Sequence, residues 1–279
     1  MNIGIIGYGI MGEGLSQYLC CFEHIEKIYV KTGKKKKFDK NIFLKKLKIN
    51  CRLLKKNFNN EMAEKIVVVE DYDEFNKCSI VIESIIENLK SKSNLLKNLS
   101  EKLNSDIIIS SNTSSLTQKQ LIGNIKYPDR FCCIHFFNPL WNTKYVELII
   151  DEKFNRKIIE KLFEFIKLID KEIIYVKDVN GFAVNRILIP MINESIKLVE
   201  EGVINKEDLN NIFEKNIGMP MGPLKLSDFI GNDTVLSIIE NLSNENNKRI
   251  CVSKTLKKLV KDNHLGDKSG KGFCNPKKR

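Results

Sequence analysis

The sequence predicts an α/β protein in two parts: a doubly wound, mostly parallel sheet over residues 1–178 and an all-helical domain over 179–279. Three observations carry this expectation. Short apolar runs alternate with helical patterns through the first 176 residues, the order that builds parallel strands joined by crossover helices. The first run leads directly into a glycine-rich turn, "GYGIMGEG". After Val176 the strand pattern stops and helical periodicity alone continues.

Taken in order, apolar runs predict strands at 2–6, 27–31, 66–69, 80–83, 107–110, 131–135, 146–149 and 173–176. Between them, helical spacing predicts helices near 11–22, 40–57, 90–103, 117–123 and 155–169. Beyond a boundary near 178–181, helices are expected at 182–201, 206–215, 224–241 and 250–262, punctuated by "NG", "MPMGP" and "NENN". Pro223 suits the first turn of a helix, where its missing N–H removes no helical bond.

Composition narrows the function classes. With 279 residues, 42% of them hydrophobic, the chain can bury a sizeable core, and no run of 18 apolar residues offers a membrane span. The N-terminus lacks a basic leader, and "NIGIIGYG" reads as a buried first strand, so a cytoplasmic protein is expected. None of the eight cysteines forms a C-x-x-C pair, so reduced, buried thiols and no metal site are expected. The net charge of +11 belongs entirely to residues 31–56, which hold twelve basic residues and one acid. That segment carries few aromatics and no recognition motif, which argues against nucleic acid. It calls for a local explanation, or else it is a solvated helix face.

Gly7, Gly9 and Gly12 form G-x-G-x-x-G between an apolar strand and a helix, the context in which the pattern has physical content. Gly7 permits the tight turn, Gly9 lets a pyrophosphate approach the backbone, and Gly12 brings helix against strand. The helix N-terminus then offers N–H groups and a positive dipole end to phosphates. Gly7, Gly9, Ile10, Met11 and Gly12 are thus the expected cradle of a Rossmann-type dinucleotide site; the other reading is a tight turn with no ligand. NAD sites place an acid about 20 residues further on, to hold the ribose hydroxyls. Here no Asp or Glu lies between Tyr29 and Phe38. Lys31, Thr32 and Lys34 fill that place and suit the 2′-phosphate of NADP. A lysine makes a point-charge contact where arginine would make a bidentate one, so a moderate preference for NADP over NAD is expected.

Of three histidines, His135 ends the apolar strand in "CCIHFFNP", where open α/β sheets place their ligand crevices. Glu147, in "YVELI", lies on the next expected strand. Such a pair can move a proton, the carboxylate fixing the imidazole tautomer; a lone histidine is otherwise a structural residue, the reading given to His24 and His264. The polar cluster "SNTSSL", residues 111–116, follows another strand and could bind a carbonyl or hydroxyl, or simply turn the chain. Asn185 and Arg186 open the first helix of the second domain, at a site or on a solvated face.

The ordered set "GYGIMGEG", "VIESIIENL", "SSNTSSL", "HFFNP", "VELI", "NGFAVNRIL", "MPMGPLKLSDFIGNDT" and "GDKSGKGF" resembles the 3-hydroxyacyl-CoA dehydrogenase family over nearly the whole chain, and in particular its bacterial 3-hydroxybutyryl-CoA dehydrogenases. The resemblance implies a general acid/base at His135 with Glu147 as its partner. It implies that Ser114 and Asn185 bind the reacting oxygen or the thioester carbonyl, and that Glu87, Lys92 and Asn138 line the nicotinamide end of the cofactor. It also implies reversible hydride transfer to or from the (S)-3-hydroxyacyl-CoA, a homodimer formed through the helical domain, and CoA near the helix after the second strand. On that helix Ile42, Phe43, Leu47, Leu53 and Leu54 are expected to pack while Lys45, Lys46, Lys48 and Arg52 meet the CoA phosphates.

The chain departs from the family pattern at Thr143, where Met is common, at the only tryptophan, Trp141, in the same loop, at "NGF" for "PGF", and at Cys274 for an aromatic. These bear on acyl selectivity and leave the chemistry in place. Two rivals follow: the same reaction on a substrate held by an acidic acyl carrier protein, for which the basic segment would be the dock, and a non-enzymatic dinucleotide-binding protein.

Overall fold

The apolar run after Met1 forms β1 (Asn2–Ile6), buried in all but its first residue. In this computed structural model the described residues are 1–33, 38–152, 154–243 and 250–274. They fall into two units, Met1–Asp178 and Val179–Arg279. In the first unit β1 is followed by α1 (Ile10–Cys20), β2 (Lys27–Lys31), α2 (Lys40–Leu53), β3 (Ile66–Val68), β4 (Ile80–Glu83), α3 (Leu89–Lys102) and β5 (Ile108–Ser111). Then come α4 (Gln118–Ile122), β6 (Phe131–His135), β7 (Tyr145–Ile149), α5 (Arg156–Leu168) and β8 (Glu172–Tyr175).

The eight strands form one sheet in the order β3-β2-β1-β4-β5-β6-β7-β8. All neighbours are parallel except β6 and β7. A link as short as 136–144 cannot carry a crossover, so those two strands pair as a hairpin. Chain order reverses between β1 and β4, the place where open sheets leave a crevice at their C-terminal edge. The expected strands are present, with β5 one residue later and β8 one residue earlier than the apolar runs suggest, β7 starting and β3 ending one residue earlier.

Helix α2 corrects part of the sequence reading. It is N-capped by Asp39, whose carboxylate accepts from the Ile42 N–H, and it ends at Leu53 instead of reaching residue 57. Lys55 adopts φ 54°, and the Lys55 and Lys56 N–H groups close back on the Arg52 and Cys51 carbonyls. Its packing face is Phe43, Leu47, Asn50 and Cys51. Ile42 and Leu53 are 52% and 51% exposed, because they lie only about 40° and 20° around the helix from the exposed Lys46 and about 140° and 120° from the buried Leu47. The thiols are free among the described residues; six are buried, but Cys251 is exposed and Cys274 partly so, a departure from the uniformly buried set expected.

The second unit holds α6 (Val184–Glu200), α7 (Lys206–Lys215), α8 (Pro223–Ile230), α9 (Asn232–Leu242) and α10 (Lys254–Lys261). Where one helix over 224–241 is expected, Gly231 at φ 103° breaks the run into two. Ile189, Ile192, Ile196, Leu209, Leu224 and Val235 head the core of this unit. The buried carboxylate of Asp228 accepts from the Phe273 and Cys274 N–H groups at 2.9 and 2.8 Å and from Asn232 Nδ2 at 3.0 Å. This explains the glycine at 272 in "GDKSGKGF": a Cβ there would lie 1.9 Å from Asp228 Oδ1.

Candidate active site

The turn after β1 does what its glycines suggest. Gly7 has φ 100°, donates its N–H to the Lys31 carbonyl at 3.0 Å, and passes so close to β4 that a Cβ would meet the Ser84 carbonyl oxygen at 2.4 Å. A Cβ on Gly12 would lie 1.9 Å from the Gly7 oxygen. At Gly9 the same construction meets nothing within 4 Å. Gly9 caps α1 without a side-chain hydrogen bond, so the N–H groups of Ile10 and Met11 head a helix whose first turn has no internal partners. Open space over Gly9, backbone donors and the dipole end of α1 fit a pyrophosphate. Gly12→Ala should therefore raise the dissociation constant for NAD(P)H at least tenfold, measured by nicotinamide fluorescence, because the new methyl must push α1 away from the turn. Unchanged binding would contradict this use of the turn.

Beside the turn, β4 ends in a buried ion cluster. Glu83 and Lys92, each 0% exposed in their side chains, pair at 2.7 Å. Glu83 also accepts from Ser111 Oγ at 2.5 Å and from the Ile85 N–H at 2.7 Å. Lys92 reaches a second carboxylate, Glu87, at 3.4 Å. Glu87 Oε1 accepts from Thr113 Oγ1 at 2.6 Å and from the Ser114 N–H, Ser115 N–H and Ser115 Oγ, each at 2.9 Å. Burial opposes ionisation of Glu87, but the Lys92 ammonium and these hydrogen bonds outweigh it and hold the carboxyl below the usual range. Burial likewise opposes the charge on Lys92, yet the two carboxylates hold its pKa above the ordinary value. The loop 113–115, which includes Ser114, is thus fixed by Glu87, and Glu87 by Lys92.

One strand pair away, register sets His135 directly opposite Glu147. Both are buried, 4% and 2% exposed, and His135 Nδ1 lies 2.6 Å from Glu147 Oε2. A carboxylate can only accept, so it selects the tautomer protonated at Nδ1 and puts the lone pair on Nε2. The ring of Phe137 packs against the imidazole edge, with centroids 4.7 Å apart. Asn112, from the polar cluster, joins the strands by accepting from the Phe136 N–H at 3.1 Å. The pair can hold, give up and recover a proton at one imidazole nitrogen.

The other residues singled out by the sequence take varied positions. Asn138 is exposed, just beyond β6. The Lys31 ammonium donates to the Glu70 carbonyl and lies 5.2 Å from the centre of the Tyr72 ring. Thr32 is partly exposed beside it, and Lys34 lies outside the described residues. Lys45 is exposed on α2, whereas Lys46 is paired with Glu13 of α1 at 2.7 Å. In the second unit Asn185 is buried near the start of α6, and Arg186 next to it is exposed.

Comparison with known proteins decides the kinship. The description "3-hydroxyacyl-CoA dehydrogenase, NAD binding domain" matches residues 2–179, and "3-hydroxyacyl-CoA dehydrogenase, C-terminal domain" matches 181–275. The chain belongs to the 3-hydroxyacyl-CoA dehydrogenase family. It is 34% identical to human mitochondrial hydroxyacyl-coenzyme A dehydrogenase, over 98% of this chain and 90% of the relative. It is 32% identical to 3-hydroxybutyryl-CoA dehydrogenase of Clostridioides difficile, over 98% of each. Among solved structures, the (S)-3-hydroxybutyryl-CoA dehydrogenase PaaH1 of Ralstonia eutropha superposes with a TM-score of 0.82 at 30% identity, covering 98% of this chain and 97% of that one.

As a member of this dehydrogenase family the chain is an oxidoreductase whose first unit is a nicotinamide-dinucleotide domain. Among its described residues no helix is long and apolar enough to cross a membrane. Sequence reasoning assigns no individual role to Glu83, Ser111 and Asn112, whose buried hydrogen bonds tie the ends of β4, β5 and β6 together. One signal was available: an acid closing the apolar strand "IVIE" needs a buried cation, and Lys92 stands nine positions on.

Proposed function

We propose that this dehydrogenase reversibly interconverts a short 3-oxoacyl-CoA, such as acetoacetyl-CoA, and the (S)-3-hydroxyacyl-CoA. The observation that carries the reading is the buried His135–Glu147 contact of 2.6 Å at the crevice edge of the sheet. When bound, the nicotinamide supplies or receives the hydride at substrate C3. His135 protonates the new alkoxide in reduction and removes that proton in oxidation, at Nε2. Glu147 holds the tautomer and stabilises the imidazolium. Ser114 and Asn185 bind the reacting oxygen or the thioester carbonyl. Glu87, held ionised by Lys92, and Asn138 serve the nicotinamide end, and Lys45 and Lys46 the CoA phosphates. The active form is a cytoplasmic homodimer.

The coenzyme is NADP in preference to NAD. Supporting this, the end of β2 and the residues just after it carry Lys31, Thr32 and Lys34 and no acid, and an acid there would repel a 2′-phosphate. A second reading, a substrate tethered to an acyl carrier protein, is favoured by the confinement of the whole net charge to residues 31–56, which suits an acidic carrier as well as CoA. The test is kcat/KM with NADPH and NADH, on thioesters of increasing length and on carrier-bound substrate. It is run on wild type and on Lys31→Asp with Lys34→Ala. Acetoacetyl-CoA and NADPH should be preferred, and the double change should shift the preference towards NADH. Wild type preferring NADH would overturn the coenzyme assignment, and faster turnover of the carrier-bound form would favour the second reading.

A further inference from the structure

The loop 136–144 joins His135 at the end of β6 to β7, which carries Glu147. Its middle is gathered around one buried amine. Lys171 sits in the turn between α5 and β8 and is 6% exposed. Its Nζ donates to the carbonyls of Leu140 and Thr143 and lies 3.5 Å from Thr143 Oγ1. Beneath it, 4.6 Å from the ammonium, is the ring of Tyr18 on α1, whose hydroxyl donates to the Ile169 carbonyl at 2.7 Å. The buried Leu140 reaches α1 at Gly14, where a Cβ would meet its Cδ1 at 3.5 Å. Lys144, at the loop's end, is tied to β8 through the Glu172 N–H at 2.9 Å.

We propose that Lys171 is a positioning residue for the dehydrogenase reaction, holding the loop between the base and its carboxylate in place against α1. The inference rests on the function proposed above. Two carbonyls from one short loop converge on a cation enclosed by α1, β8 and the loop itself, an arrangement that a solvated surface lysine does not need. Burial pushes the amine down to about 8, with Asp170 opposing the shift, so at neutral pH the group keeps its proton and all three N–H donors. An unfilled pair of carbonyls there would be buried without partners, and the loop would move to reach water. That movement displaces Asn138 and Trp141 and loosens the strand ends that present His135 and Glu147.

Trp141, the only tryptophan and half-buried, reports the loop without any turnover. The variants are Lys171→Met, which keeps the bulk and loses the donors, and Lys171→Arg, which restores donors and charge. In folded Lys171→Met, acrylamide should quench Trp141 more strongly than in wild type. Its kcat on the thioester should fall about tenfold or more, while the dissociation constant for NAD(P)H changes less than threefold. Lys171→Arg should recover part of both losses. Wild-type quenching and kcat in a folded Lys171→Met would overturn the proposal. So would a loss of coenzyme binding as large as the loss of kcat, which would mark a general structural role. If Lys171→Met does not fold, Lys171→Gln, which retains an amide donor, is read in the same way. A wild type inactive on every thioester would refute the proposed function and with it the positioning role in that reaction, whereas the quenching of Trp141 still decides whether Lys171 holds the loop.

Discussion

His135→Ala is expected to lose roughly 10²–10⁴-fold in kcat on a 3-oxoacyl thioester, the range associated with a positioned general acid. Coenzyme affinity should stay near wild type, because the turn at Gly7–Gly12 is built from other strands and a helix. Glu147→Gln should lose less: the amide keeps contact with Nδ1 but no longer compels the same tautomer or stabilises the imidazolium. Single-turnover reduction under saturating coenzyme separates these effects from binding. A His135→Ala enzyme with turnover within a few fold of wild type would remove the histidine from the chemistry.

Replacing Lys92 with Met should have the largest effect on stability. It strands Glu83, whose side chain is inaccessible, and Glu87, 15% exposed, without their shared counter-ion. Breaking a buried pair in this way destabilises by about 3–5 kcal/mol. The pH dependence follows from the shifts. In wild type the pKa of Glu87 is depressed, so its contribution is present above the unfolded carboxylate value and lost as pH falls through the folded one. Without the Lys92 ammonium only hydrogen bonds oppose the effect of burial on Glu87, so this carboxyl binds a proton more readily than in wild type and the variant loses less stability in acid. Urea unfolding near pH 7 and pH 5 should show the stability gap between wild type and variant narrowing on the acid side. A gap independent of pH would mean that lost packing, and not stranded charge, accounts for the effect. Activity should fall as well, because the loop 113–115 hangs on Glu87.

How much of this was legible before the structure depended on the range of the forces involved. The β1–turn–α1 unit is local, and its glycine spacing states the close approaches later seen at Gly7 and Gly12. His135 and Glu147 were legible as neighbours because a short link forces their strands together. The phase of α2 was not, since Ile42 and Leu53 satisfy an apolar count while lying on the solvent side. Nor was the break at Gly231, because an isolated glycine in a helical pattern is compatible with continuation until the backbone is seen at φ 103°. The grip of Lys171 on its loop and the hold of Asp228 on the C-terminal segment depend on partners distant in sequence, whereas Lys92 is buried by the nearby Glu83 and Glu87, which only the fold brings beneath it. A lysine in a helical first turn reads as solvated unless its carboxylates are known to lie beneath it.

The reaction proposed for this chain is the reduction of a 3-oxoacyl-CoA with a nicotinamide coenzyme. The most direct measurement is the loss of reduced-coenzyme absorbance when purified protein meets acetoacetyl-CoA, with the product resolved on a chiral column. NADPH should be oxidised in step with formation of the (S)-3-hydroxy thioester. A protein that binds the coenzyme but oxidises neither NADPH nor NADH with acetoacetyl-CoA or its longer homologues would contradict it.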